Sequence, residues 1–174
     1  MVQLNFVYKK EELLEIYKAG CEVWHVPFDL KDFLQNYPEP DNINIPFFEG
    51  MSRVCFVELW KEKEKEVVAE IEKIYKPFPD GEIIIGLFPT RDIFWKFETQ
   101  KSYAILGLNK KALIALVPGP DRFKWFIHEL FHANDVLRME IGLTLSEKHQ
   151  WFDDQSLKIS EKYFKVLHNF IKKC

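Results

Sequence analysis

The pentapeptide His128-Glu129-Leu130-Phe131-His132 places two imidazoles and a carboxylate within five residues. On an α-helix, residues four apart lie one above the other on the same face. His128 and His132 would then reach a single divalent metal ion from one side, and imidazole nitrogen is a common zinc ligand. Glu129 would lie beside that ion, where a carboxylate can accept a proton from water. This segment is therefore expected to be helical and is the first candidate for a functional site.

The residues around the pentapeptide support a helix. Pro118-Gly119-Pro120 breaks the chain, and Asp121 then offers a side chain that can cap a helix N-terminus. Apolar residues recur after it at helical spacing: Phe123, Phe126, Ile127, Leu130, Ala133 and Leu137. Gly142 is typical of a residue that follows a helix end. The pattern predicts a helix from about Asp121 to Ile141.

The other periodicities predict a single α+β domain. Apolar residues at helical spacing indicate three helices before residue 80: Lys10 to Val23, Asp29 to Tyr37 and Ser52 to Tyr75. Short apolar runs then indicate three strands, the last two as a hairpin: Glu82 to Phe88, Ser102 to Leu108 and Ala112 to Val117. A second helix follows the motif helix from about Thr144 almost to the C-terminus. We expect a helical N-terminal part over residues 1–80, and a small twisted sheet with two metal-binding helices over residues 81–174.

From about Glu82 to Asp153, the HExxH string and the elements around it resemble the zincin superfamily of zinc metallopeptidases. In that superfamily a small twisted sheet packs against the metal-binding helix, and its edge strand lines the substrate cleft. The resemblance implies a zincin-like fold, a Zn2+ cofactor and a peptide or protein substrate. It also implies hydrolysis with Glu129 as the general base. The first eighty residues take no part in the resemblance.

A catalytic zinc site needs a third protein ligand and an open position. The longer metzincin string requires Gly, and then His or Asp, where this chain has Asp135 and Arg138, and Arg138 cannot be a ligand. Peptide deformylases also use HExxH, but they take a cysteine ligand from a Glu-Gly-Cys setting that this chain does not have, which removes Cys55. The third ligand is therefore expected from the last helix.

Three residues near the start of the last helix are candidates for this ligand. Its apolar positions put His149 near the middle of the inward face and Asp153 near the edge, while Glu147 and Asp154 fall on the solvent side. The expected lengths of the two helices place the metal about one turn beyond His149 along the last helix, which favours Asp153. Residue type favours His149, because imidazole is a common zinc ligand, whereas Asp is a natural hydrogen-bond partner of a metal-bound imidazole.

SprT-like metallopeptidases also resemble this arrangement, with a third His about as far downstream. Gly usually follows that His, whereas Gln150 follows here. We rank His149 first, Asp153 second as an alternative ligand or as a hydrogen-bond partner of one, and Glu147 third.

Other polar residues leave open questions. Asp135 lies one turn beyond His132, where it either orients a ligand imidazole or contacts substrate, or is simply an exposed helix residue. Nothing in the sequence connects Tyr163 or His168 with the cleft, so no residue is assigned to stabilise an oxyanion.

Charge and cysteine usage limit the partners and the compartment. A formal net charge of -3 gives no basic excess of the kind that binds nucleic acid. Cys21, Cys55 and Cys174 are far apart and lack CxxC spacing, which favours thiols in a reducing compartment. The N-terminus lacks a signal-peptide pattern, and no apolar stretch is long enough to cross a membrane. We expect a cytoplasmic protein with no membrane or nucleic-acid partner. The oligomeric state is not indicated.

Two other function classes remain open. A zinc-dependent hydrolase of a non-peptide amide would use the same base, because zinc chemistry does not depend on a peptide leaving group. A non-catalytic zincin-fold binding protein would have no need of Glu129. The presence of this carboxylate therefore favours a hydrolase.

Overall fold

Four strands and five helices lie along the residues that the structure describes. The structure is a computed structural model and describes residues 2–35, 37, 51–90, 102–106, 111–138 and 145–171; at 102–103, 105–106, 145–147 and 166–171 it describes the backbone alone. The elements in chain order are β1 (Gln3–Val7), α1 (Lys10–Val23), α2 (Leu30–Gln35), α3 (Arg53–Ile74), β2 (Glu82–Leu87), β3 (Ser102–Leu106), β4 (Ala112–Leu116), α4 (Arg122–Arg138) and α5 (Leu145–Ile171). None of these helices is both long and apolar enough to cross a membrane.

The strands form one mixed sheet in the order β1-β2-β4-β3. β1 pairs with β2 and β2 with β4 in parallel, whereas β3 pairs with β4 in antiparallel orientation, with Ser102 opposite Leu116. The pairing predicted for the last two strands is therefore confirmed, and most of the turn between them lies outside the described residues. β3 is the antiparallel end of the sheet, and α4 packs against it.

Helices cover both faces of the sheet, which explains why β2 is an unbroken apolar run. Successive strand residues point to opposite faces. Ile83 and Ile85 point into the core formed with α3, α4 and α5, and Ile84 packs in the core formed with α1 and α2. At Gly86 an added Cβ would lie 2.6 Å from Cδ1 of Ile16, so the missing side chain allows α1 to approach the sheet closely.

Aromatic side chains join α4 to its neighbouring helices. Phe123 stacks on Phe164 of α5 with ring centroids 4.0 Å apart, and Phe131 stacks on Phe152 with centroids 5.0 Å apart. The early residue of α4 therefore meets the late residue of α5, and the two helices run antiparallel. This arrangement brings the pentapeptide of α4 opposite the first turns of α5.

The helix predictions are confirmed at α1, α2 and α3, where Ser52 caps α3 by accepting a hydrogen bond from the Cys55 backbone N–H at 3.1 Å. The expectation of a helical N-terminal part over residues 1–80 omits one strand, because β1 adds an edge strand to the sheet. Its five residues carry too short an alternation to identify a strand from sequence. Residues 38–50, between α2 and α3, lie outside the described part of the chain. α4 is described to Arg138, three residues before the predicted end.

Candidate metal centre

His128 and His132 lie on one face of α4, as their spacing predicts. Their Nε2 atoms are 3.0 Å apart, and their ring centroids are 4.7 Å apart. His128 is 2% exposed and His132 is half-buried, because α4 lies between the sheet, α3 and α5. Two ring nitrogens that face each other at this distance can contact the same ion.

His149 reaches this pair from the second turn of α5. Its ring centroid is 4.6 Å from that of His128 and 5.1 Å from that of His132. One nitrogen from each of the three rings lies within 4.8 Å of the other two. In a tetrahedral site with Zn–N distances of about 2.0–2.1 Å, the ligand nitrogens are roughly 3.3 Å apart. The three imidazoles therefore need only a small side-chain adjustment to share one ion.

The position of His149 differs from the sequence prediction in one respect. The middle of the inward face of α5 is occupied by the buried residues Phe152, Ser156 and Ile159, and His149 lies on the flank of this face with its side chain 51% exposed. The apolar pattern placed it too centrally because the polar Ser156 belongs to the buried face. The cluster consequently opens toward solvent at His149, and a catalytic zinc site needs such an open position.

Asp153 lies behind the imidazoles. Its Oδ1 is 3.1 Å from Nδ1 of His128, and its Oδ2 is 3.9 Å from Nδ1 of His149. Of the two imidazoles that Asp153 approaches, His128 is therefore the nearer. The carboxylate thus faces the ring nitrogen of His128 that is turned away from the cluster. This is the place of a residue that orients a ligand imidazole.

The contact between Asp153 and His128 provides a test of whether these residues fit a cation. Nδ1 of His128 and Oδ1 of Asp153 are buried, and among the described residues neither has a well-aligned hydrogen-bond partner, although they are 3.1 Å apart. A buried polar pair left misaligned is unfavourable. A small ring rotation would align Nδ1–H with the carboxylate, and cation binding at Nε2 would strengthen this donor. The donor set therefore fits a divalent metal ion that prefers nitrogen ligands.

The remaining acidic candidates lie in different surroundings. Glu129 is 5% exposed and directly follows His128 on α4, so its carboxylate is shielded from bulk water. Asp154 is exposed, as predicted, and accepts a hydrogen bond from Gln150 at 3.2 Å. The side chain of Glu147 lies outside the part of the chain that the structure describes.

Asp135 belongs to a polar cluster at the side of the three imidazoles. Its Oδ1 accepts a hydrogen bond from the Tyr75 hydroxyl at 2.6 Å, and its Oδ2 accepts one from Nζ of Lys148 at 3.1 Å. Nζ of Lys76 also lies 3.8 Å from Oδ1 of Asp135. The sequence pattern singles out Asp135 but none of these three partners. Tyr75 lies 60 residues upstream, and no spacing rule connects it with Asp135.

Tyr163 takes no part in this site. Its hydroxyl donates to Oε2 of Glu70 on α3 at 2.6 Å, and it follows His149 by more than three turns of α5. The side chain of His168 lies outside the described residues. In the described part of the chain, nothing therefore places either residue where it could stabilise an oxyanion.

A groove of about 360 Å³ opens between α4 and α5, and none of the three imidazoles lines it. The Trp125 ring lies on its wall, with its centroid 6.0 Å from that of His128. The other lining residues are both apolar and charged: Asp121, Lys124, Leu157, Ser160, Glu161, Phe164 and Lys165. The groove begins about one helical turn from His128.

The buried imidazoles are difficult to protonate. Burial, followed by repulsion from His149 and Lys124, lowers the pKa of His128 from 6.5 to about 3. Burial, followed by repulsion from His128 and His149, lowers the pKa of His132 to about 3, although Asp135 and Asp153 act in the opposite direction. Neutral imidazole is the form that binds metal, so the folded chain presents both rings ready for coordination at neutral pH.

Comparisons with known protein families, with curated proteins and with solved structures gave no significant match. The interpretation of the site therefore rests on its residues and their geometry.

The depressed pKa values predict an acid-sensitive metal-free protein. Between pH 6.5 and about 3, the unfolded chain binds protons at His128 and His132 that the folded chain does not, so the free energy of unfolding falls as the pH falls through this range. Above pH 6.5 this contribution to stability is fully present. Urea unfolding in a chelator at several pH values measures the slope.

The double substitution His128→Gln and His132→Gln is expected to make this slope shallower. His25→Gln, at an exposed histidine outside the cluster, serves as the control and should keep the parent slope. Equal slopes in the parent and the double variant would contradict the depressed pKa values.

Zinc affinity should rank the candidate ligands. His128→Ala and His132→Ala are expected to abolish stoichiometric zinc binding. His149→Ala should weaken it more than Asp153→Ala, for which roughly a 10–100-fold loss is expected from a residue that orients a ligand. Competition with a chromophoric chelator gives the dissociation constants.

Asp154→Ala is the matched control for this ranking, because it removes a neighbouring carboxylate that is exposed. Glu147→Ala completes the series. If Glu147→Ala causes the largest loss after the motif histidines, the assignment of His149 as the third ligand is wrong.

Proposed function

We propose that this protein is a zinc-dependent metallopeptidase that hydrolyses peptide bonds with Glu129 as general base. The observation that carries the proposal is the convergence of three imidazoles from two helices, with a buried carboxylate at the residue that follows one of them in the chain. A metal site that serves structure alone has no need of this carboxylate. The antiparallel end strand β3 beside α4 supports a zincin-like architecture, which is part of the proposal.

The metal ligands in this proposal are His128, His132 and His149. Zn2+ bound there supplies a Lewis acid that polarises a carbonyl group and lowers the pKa of a water molecule to about 7. The Asp153 carboxylate, 3.1 Å from Nδ1 of His128, would accept a hydrogen bond from Nδ1–H once the two groups are aligned, which fixes the tautomer that leaves Nε2 available as a ligand. The open flank at His149 leaves room for substrate to approach.

Glu129 performs the proton transfers. Its carboxylate accepts a proton from the attacking water as the new C–O bond forms, and then delivers this proton to the leaving amine nitrogen as the C–N bond breaks. Protein atoms surround this residue, so few bulk water molecules compete for the proton. The chain supplies this base from α4 itself, whose backbone is held rigidly between the sheet and α5.

Two surfaces support an extended peptide as the substrate. Among the described residues no strand pairs with the outer side of β3, so a substrate backbone could add there as a further strand. The groove lined by Trp125 and Leu157 offers partly apolar space for a substrate side chain close to the imidazoles. A peptide presents both a backbone to pair and side chains to accommodate.

Replacing Glu129 with Gln should separate metal binding from chemistry. Glu129→Gln keeps nearly the same shape but cannot accept a proton, so the rate of peptide hydrolysis should fall about 10²–10⁴-fold while zinc content and thermal stability stay close to the parent. Digestion of a peptide library, followed by mass spectrometry, gives the active substrates, and their rates are then compared between the two proteins.

Glu62→Gln, at an exposed glutamate on α3, is the control and should retain the parent rate. Turnover by Glu129→Gln at nearly the parent rate would show that another group is the base. A zinc-loaded protein that cleaves small amides but no peptide would instead indicate the non-peptide hydrolase.

A further inference from the structure

Tyr75, Asp135 and Lys148 form a compact polar cluster that connects three helices. Tyr75 is the residue that follows α3, Asp135 lies in the last turn of α4, and Lys148 lies in the first turn of α5. The Tyr75 hydroxyl and Nζ of Lys148 both bond to the Asp135 carboxylate, at 2.6 Å and 3.1 Å, and Nζ is 3.2 Å from the hydroxyl. We refer to these three residues as the Tyr-Asp-Lys cluster.

The Tyr-Asp-Lys cluster combines charged hydrogen bonds with apolar packing. The Asp135 side chain is only 14% exposed, so its charge interacts mainly with the groups around it. Hydrogen bonds that involve ionised groups are shorter and stronger than neutral ones. The Tyr75 ring also packs on Trp151 and Phe152, with centroid distances of 5.5 Å and 5.4 Å, so apolar contacts reinforce the polar ones.

Lys148 directly precedes His149. The residue that anchors the start of α5 to α4 is therefore the immediate neighbour of the third imidazole. The His149 side chain is 51% exposed, so few packing contacts of its own fix its position. His128 and His132 differ in this respect, since α4 itself holds them in register.

We propose that the Tyr-Asp-Lys cluster positions His149, by fixing the first turns of α5 against α4 at the distance that a three-histidine metal site requires. This inference rests on the proposed metal site and adds its positioning residues, which contact neither metal nor substrate. Asp135 acts through the backbone of α5, and the cluster has no direct part in the chemistry.

A second polar cluster in the chain provides a matched control. Tyr163 and Lys162 of α5 both bond to the carboxylate of Glu70 on α3, so this cluster also consists of a tyrosine, an acid and a lysine that join two helices. It lies more than three turns of α5 away from His149. Glu70→Gln should therefore affect stability in the same way as Asp135→Asn and leave the metal site untouched.

The test is a double-mutant cycle with zinc affinity as the readout. Asp135→Asn should weaken zinc binding about 10–100-fold in the parent background. In a His149→Ala background it should cause less than about a 2-fold change, since the ligand through which it acts is absent. Glu70→Gln should leave the affinity unchanged in both backgrounds.

Three further variants keep the test informative if Asp135→Asn folds poorly. Tyr75→Phe removes a single hydroxyl and should weaken zinc binding in the same direction. Lys148→Arg keeps the charge and should retain most of the affinity that Lys148→Met loses. Hydrogen exchange of the metal-free proteins should show faster exchange at the start of α5 in Asp135→Asn than in the parent.

The possible results separate the two proposals. A parent protein that binds no zinc would overturn both the proposed function and this inference. If the parent binds zinc and Asp135→Asn binds it equally well, only the positioning role is overturned. An equal loss in the His149→Ala background would show that Asp135 acts on His132 instead. A comparable loss of zinc affinity in Glu70→Gln would show that Asp135→Asn acts through general destabilisation, and the positioning role would be overturned.

Discussion

The antiparallel packing of α4 on α5 is the interaction on which the candidate site depends. Two imidazoles come from one helix and the third from the other, so the site exists only where these helices are held in register. Phe131 and Phe152 stack at the centre of this contact. Phe152 also packs against the His132 ring in a T-shaped arrangement, with centroids 5.0 Å apart. Such aromatic pairs contribute about 0.5–1.5 kcal/mol each beyond the burial of their area. The same ring therefore stabilises the helix pair and borders the candidate metal centre.

The polar groups at this contact are costly for the fold. Nδ1 of His128 and Oδ1 of Asp153 are withdrawn from water, and burying polar atoms without an aligned partner costs free energy. The depressed pKa values of the two motif histidines are a direct consequence. A cluster of perturbed titratable groups beside an open groove is more characteristic of a functional site than of a structural core. The large aromatic core around α4 offsets this cost.

Local patterns predict most of the helices and strands but only part of the site. The positions of α1 and α3 follow from apolar periodicity, and the facing of His128 and His132 follows from their spacing of four. β1 escapes prediction because its strand character comes from pairing with Glu82 to Gly86, nearly eighty residues away along the chain. The Tyr-Asp-Lys cluster escapes for the same reason, since Tyr75 meets Asp135 through the tertiary fold. The phase of α5 placed His149 on the correct side of the helix, but the buried Ser156 shifted the centre of that side away from it.

The central claim is that three imidazoles from α4 and α5 hold one zinc ion. Diffraction data from zinc-loaded crystals, collected on both sides of the zinc absorption edge, test it most directly. The account predicts one strong anomalous peak per chain, about 2.0–2.1 Å from a ring nitrogen of each of His128, His132 and His149. A protein that takes up no zinc, or a peak coordinated by Glu147 or by Asp153 in place of His149, would contradict it.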